Sequence, residues 1–287
     1  MEFEGYKQFI DDFSFHDCLH GSQGYSRVLL QLFGYVGHGK SSFINTCKYV
    51  FDGEFLVHAE LGNQCEGKKN RRSYQLTDSI TLVDNRGCPK FDSYVTGEIF
   101  AQLGNLLPLN REVHWETNLP DILSKVSDYD HEPNYSDFIV PVFIFSVKYG
   151  LRVQNQLYEL RELLNNAKKL TGIVPFVVLT HKSQEDLTGV QNMFKNLGID
   201  NIFQLENYTP SDSVKVRATH EEVVKILYEV LKDVNFRMTE RRDREAERAA
   251  RKRSLEEFVR DQQRKEEERR QEPRGPDPRQ RKTCYFL

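Results

Sequence analysis

The run Gly34-Tyr35-Val36-Gly37-His38-Gly39-Lys40-Ser41 matches G-x-x-x-x-G-K-[ST] in full, and it constrains the fold more than any other stretch of the chain. An apolar strand candidate, residues 28–33, leads into it, and helix-compatible sequence beginning at Ser41 and Ser42 leads out. Strand, glycine loop and helix in that order let successive N–H groups curl inward on phosphate oxygens at the positive end of the helix. In such a loop Lys40 contacts the β- and γ-phosphates, and the Ser41 hydroxyl completes a Mg²⁺ shell. Gly34, Gly37, His38, Gly39, Lys40, Ser41 and Ser42 are therefore the candidate nucleotide contacts. The alternative is a glycine-rich turn with a chance lysine and serine, against which strand, loop and helix all fall in the required order.

A second pattern lies at the expected distance. Residues 79–83 form another apolar strand candidate, and Asp84-Asn85-Arg86-Gly87 follows as D-x-x-G. An aspartate at the tip of a strand beside the loop holds Mg²⁺ through water. Gly87, with its amide free to approach the γ-phosphate, would sense that phosphate. Taken alone, D-x-x-G is an ordinary strand-end turn; behind a complete loop motif it gains a role.

Apolar runs at 28–33, 79–83, 138–145, 173–179 and 202–205 alternate with helix candidates at 41–50, 153–170 and 220–231. This alternation predicts an α/β fold, a mostly parallel sheet with helices on both faces. Residues 1–25 read as a lead-in, 26–236 as the nucleotide domain, and 237–287 as a charged tail, either helical or disordered. Residues 106–133 are polar and proline-containing and read as an insertion or long loop, with Trp115 as a packing anchor. In the tail large apolar residues are sparse (Leu255, Phe258, Val259), which gives a coiled coil little to build on.

Guanine is usually read by an Asn/Thr-Lys-x-Asp segment after a buried strand, whose carboxylate accepts two hydrogen bonds. The equivalent place here is Thr180-His181-Lys182-Ser183. A serine hydroxyl does not reproduce that bidentate acceptor, so Glu185 or Asp186 would have to take over. Thr180 and His181 are candidates to line the base pocket, and Asn207, in Glu206-Asn207-Tyr208-Thr209, to face the base from the far side. Hydrolysis has thinner support. Residues 47–72 hold no Ser or Thr to close on the γ-phosphate, which leaves Ser73 or Thr77. Cys88 stands where a water-orienting glutamine often lies, and His38 is the other weak catalytic candidate. A nucleoside-kinase-type phosphotransferase would need an arginine-bearing lid, for which the sequence offers no candidate.

Together, the G-x-x-x-x-G-K-S-S loop at Gly34 to Ser42, Asp84 to Gly87, Val177-Val178-Leu179-Thr180-His181 and Glu206-Asn207-Tyr208-Thr209 resemble the interferon-induced protein 44 family of P-loop GTPase-like proteins. The resemblance spans residues 26–235. It implies a Ras-type nucleotide-binding fold, a cytoplasmic location and a role in innate, interferon-linked responses. Ser183 departs from it, since relatives commonly carry an aspartate there.

Composition narrows the partners. The chain has 287 residues, 38% hydrophobic and 29% charged, with a net charge of −3, which argues against nucleic-acid binding by the whole chain. No secretory start or membrane-spanning run is present in the sequence. Five scattered cysteines, Cys18, Cys47, Cys65, Cys88 and Cys284, fit a reducing cytosolic compartment. The last residues, Cys284-Tyr285-Phe286-Leu287, have the C-a-a-X form of geranylgeranylation sites, with Arg279, Arg281 and Lys282 upstream to attract anionic lipid. An unmodified tail is the alternative. The expected cofactors are GTP or GDP with Mg²⁺, and the loop alone also admits ATP. The expected partners are the nucleotide, a membrane reached through Cys284 and the basic tail, and a protein partner or second copy. Two functional readings follow: a GTPase-like switch with slow or partner-dependent hydrolysis, and a catalytically inactive nucleotide-binding scaffold.

Overall fold

Strand β1 (Arg27–Phe33) reads RVLLQLF and is buried on both faces, which places it at the centre of a sheet. It pairs in parallel with β3 (Ile80–Asp84) on one side and β4 (Asp137–Ser146) on the other. β5 (Phe176–Thr180) and β6 (Ile202–Leu205) continue beyond β4, also parallel. The short β2 (Arg72–Gln75) runs antiparallel along the outside of β3. The order is β2-β3-β1-β4-β5-β6, a mostly parallel sheet with one antiparallel edge, as the alternation of strands and helices predicts. The structure, a computed structural model, describes residues 2–60, 71–88, 93–111, 118–129, 136–149, 154–183 and 186–271.

Side chains alternate across this sheet and feed two cores. Val28, Leu30, Leu32, Val142, Ile144, Phe176 and Val178 face one side, where α1 (Glu2–Asp11), α2 (Lys40–Asp52) and α7 (Arg217–Arg237) cover them. Phe33, Phe143, Phe145, Val177 and Leu179 face the other, under α3 (Ser93–Leu103), α4 (Leu119–Asp128), α5 (Gln154–Thr171), α6 (Leu187–Asn196) and α8 (Arg244–Gln271). The predicted layering is what forms.

Three segments differ from their sequence reading. The lead-in contains α1, whose Tyr6 stacks on Tyr228 of α7 at 4.0 Å and whose Ile10 is fully buried. Within the stretch read as an insertion or long loop, α4 forms: Asn118 caps it by accepting from the Asp121 N–H, and Pro120 sits in the first turn, where its missing N–H is not needed. Residues 244–268 are neither free nor wholly solvated. Leu255 and Val259, one turn apart, are completely buried, the Phe258 ring meets Phe100 of α3 edge-on at 4.9 Å, and Arg251 Nε donates to the Gly104 carbonyl at 3.1 Å. Four residues apart on a helix, two apolar side chains suffice to dock an otherwise charged element on its own domain. Among the described residues, no helix is long and apolar enough to cross a membrane. Trp115, Cys65 and Cys284, with the C-a-a-X segment, lie outside the described residues.

Candidate functional site

The site forms where β1 and β3 end side by side, with Leu32 opposite Asp84. Gly34 leaves β1 at φ 144°, and a Cβ there would collide with the Ile144 carbonyl oxygen, so only glycine fits. The loop then turns and α2 begins at Lys40. Beyond the strand ends the two segments stay zipped: Val36 N–H donates to the Cys88 carbonyl at 2.9 Å, and Cys88 N–H to the Gly34 carbonyl at 3.2 Å. This pairing drives Gly87 against the loop. A Cβ on Gly87 would meet Lys40 Nζ at 2.7 Å and Val36 Cα at 3.1 Å.

Lys40 is buried, and its Nζ donates to the carbonyls of Tyr35 (2.8 Å) and Gly34 (3.2 Å), which stretches the side chain back over the loop. Ser41 Oγ donates to Asp84 Oδ2 at 3.1 Å. A hydroxyl and a carboxylate of this spacing are hard oxygen donors of the kind Mg²⁺ takes, so the residues fit the ion that the motif implies. Ser42 begins the same helical turn, and its carbonyl accepts from Thr46 Oγ1 at 2.7 Å.

Sequence reasoning missed the support beneath Asp84. Arg71 is fully buried, yet its hydrogen bonds run to Asn85 Oδ1, Gln31 Oε1, Asn105 Oδ1 and the carbonyls of Gln102 and Leu107. Asn85 Nδ2 also donates to Gln31 Oε1 at 2.9 Å, and Arg86 N–H donates to Gln102 Oε1 at 3.0 Å. The D-x-x-G segment is thus bonded to the interior of β1 and to the end of α3. A glutamine inside the apolar β1 was the available signal, because a buried amide needs partners.

The two weak catalytic candidates both make contacts at the loop. His38 Nδ1 accepts the Ser146 N–H at 3.0 Å, and its ring stacks on Tyr149 at 5.3 Å and meets Phe145 edge-on. Such a ring holds the loop against the end of β4. Cys88 is buried, with Sγ 3.4 Å from the Gly34 carbonyl. Ser73 and Thr77, the two candidates to replace the missing threonine, both have local partners. Ser73 is engaged by Asn110 through its N–H and Oγ, and Thr77 closes a turn with Ser79 at the opposite end of β3.

At the ends of β5 and β6 a second group of polar side chains faces the back of the loop. Thr180 Oγ1 donates to the His38 carbonyl at 2.9 Å. His181 adopts φ 56°, with Nδ1 2.9 Å from Ser146 Oγ; burial pushes its pKa down, against a smaller upward pull from Glu206. Asn207 Nδ2 donates to the Gly39 carbonyl at 3.4 Å. Ser183 donates twice to Glu206 Oε2, from N–H at 3.2 Å and from Oγ at 3.0 Å. Glu185 is outside the described residues, and Asp186 folds over its own helix, with its carboxylate against Gly189. The carboxylate beside Ser183 therefore comes from the next strand, which the local sequence around Ser183 did not disclose.

Mouse (Mus musculus) interferon-induced protein 44 is 26% identical over 205 residues, which cover 68% of this chain and 45% of that protein. The chain is similar to interferon-induced protein 44. It spans a little under half the length of that relative. No family model matches the sequence. Among solved structures, a dimerization-deficient variant of Toc33 from Arabidopsis thaliana aligns with a TM-score of 0.40 at 13% identity, over 81% of this chain and 90% of that one. Translation elongation factor SelB from Methanococcus maripaludis, in complex with the GTP analogue GppNHp, aligns with a TM-score of 0.38 at 13% identity, over 74% and 34%.

Proposed function

We propose that this P-loop GTPase-like domain binds a guanine nucleoside triphosphate with Mg²⁺ and acts as a switch with slow or partner-dependent hydrolysis. The observation that carries the reading is the meeting of four residues from two motifs. Ser41 Oγ and Asp84 Oδ2 lie 3.1 Å apart, and Gly87 is seated directly under Lys40 Nζ. Gly34, Gly37, His38, Gly39, Lys40, Ser41 and Ser42 surround the phosphates; Lys40 offsets their charge, and Ser41 with Asp84, through water, holds the ion. An ion held there by Ser41 and Asp84 would offset the negative charge of the phosphates. Gly87, tied to α3 through Arg86 and Gln102, registers the terminal phosphate. Thr180, His181 and Asn207 border the base. An immune role is supported by the interferon-induced relative. Prenylation at Cys284 is part of the same proposal.

A second reading, binding without useful catalysis, is favoured by one set of observations: His38 and Cys88 are occupied in holding the loop. Labelled GTP, GDP and ATP titrated against the chain and against Lys40→Ala, with phosphate release followed, separate the two. The switch reading expects Mg²⁺-dependent binding of GTP, weakened about 100-fold by the substitution, with slow release of phosphate. Binding with no release leaves the scaffold reading. Equal, Lys40-independent binding of all three nucleotides contradicts both.

A further inference from the structure

Accepting the nucleotide reading, we infer that Glu206 is the carboxylate that selects guanine, supplied from the end of β6 in place of the aspartate missing at position 183. With phosphates held at the ends of β1 and β3, a nucleoside lying along the carboxyl edge of the sheet carries its base past β4 to the ends of β5 and β6. Glu206 stands there with its geometry already fixed, because the N–H and Oγ of Ser183 both grip Oε2. A carboxylate has about four lone-pair directions. Two are taken by Ser183, and the others are open to donors.

Guanine offers two such donors on one edge, N1–H and the N2 amino group. Adenine presents an acceptor at its N1, which an acceptor-only carboxylate repels. The charge on Glu206 is not spent on its neighbour Lys182, whose Nζ is held by Glu222 at 2.5 Å. His181, with its pKa lowered chiefly by burial, adds no competing cation at neutral pH. The next residue contributes as well. Asn207 Nδ2 is bonded to Gly39, which orients the amide, and its buried Oδ1 has no partner among the described residues. That oxygen is a second acceptor at the junction of phosphate loop and base end, so the serine at position 183 becomes the clamp of a displaced carboxylate.

The test is competitive titration of GTP, XTP and ATP against the chain, Glu206→Gln and Ser183→Ala, each checked for an unchanged melting profile. A glutamine still accepts from Ser183, but it presents an amide N–H to the C2 carbonyl of xanthine. Glu206→Gln is expected to weaken GTP about 30- to 100-fold and tighten XTP about tenfold or more, leaving ATP unchanged. Ser183→Ala is expected to weaken GTP by only about 3- to 10-fold with no gain for XTP, as befits a positioning residue. Lys40-dependent binding in which Glu206→Gln leaves the GTP-to-XTP preference where it was overturns this inference alone. So does a chain that binds GTP and ATP equally. If no nucleotide binds, the phosphate-loop reading falls and this one with it.

Discussion

The two ends of the site are built by different means. The phosphate end, Gly34 to Ser41 with Asp84 to Gly87, is shaped by backbone: a glycine at 34 that no other residue can replace, and strand pairing carried past the strand ends. The base end, at β5 and β6, is shaped by side chains reaching across from separate segments, Ser183 to Glu206, Asn207 to Gly39 and Thr180 to His38. Backbone geometry tolerates little change, while a side-chain pair can exchange its members between strands. A carboxylate displaced from one strand to the next, beside an unaltered phosphate loop, is the outcome expected of that asymmetry.

The contrast makes an ordering of costs that experiment can break. Arg71→Ala leaves Gln31, Asn85, Asn105 and two buried carbonyls without their shared donor, and a loss of about 3–5 kcal/mol in chemical denaturation is expected. Gly34→Ala forces a Cβ onto the Ile144 carbonyl at a φ reserved for glycine; about 3 kcal/mol is expected from the same measurement, together with loss of nucleotide binding. At the base end, Tyr208→Phe removes a hydroxyl that accepts from Val216 N–H and donates to the Val216 carbonyl. Val216 is half-exposed and water can replace that hydroxyl, so about 1 kcal/mol is expected. A Tyr208→Phe loss as large as that of Gly34→Ala would erase the distinction between the two ends.

The smallest effect is one of pH. Burial, aided by Lys215 and Lys7, lowers the pKa of His220 below its ordinary 6.5, and its ring sits edge-on to Tyr49 and Tyr208. Above pH 6.5 neither folded nor unfolded chain carries the proton, and no penalty arises. As the pH falls below 6.5 the unfolded chain binds the proton first, and stability declines until the folded pKa is passed. His220→Phe is expected to make that acid-side decline shallower in melting curves at pH 7 and below. An unchanged slope would remove His220 from the account.

How much of this was legible follows from the same division. A complete loop motif is contiguous, so its residues announce their geometry locally, and the apolar runs of β1, β3, β4, β5 and β6 stood out by composition alone. β2 did not, because Arg-Ser-Tyr-Gln at a sheet edge has neither an apolar run nor alternation. α4 was hidden by Pro120, which breaks a helix in its middle and begins one at its first turn. A helix was one of the two readings of the tail, but the docking of α8 was hidden by its charge, since its burial rests on Leu255 and Val259, together with the aliphatic and guanidinium reach of Arg251. Glu206 was unreadable as Ser183's partner because 23 positions separate them and only sheet pairing brings them together.

The central claim is that the Lys40 loop holds a nucleotide triphosphate with Mg²⁺. Calorimetric titration of Mg²⁺–GTP into the purified chain tests it most directly, with Lys40→Ala run alongside. One site per chain, weakened about 100-fold by the substitution and by chelating the metal, is the predicted result. Heat of binding that is identical for the chain and Lys40→Ala, or absent from a chain with an intact melting transition, would contradict it.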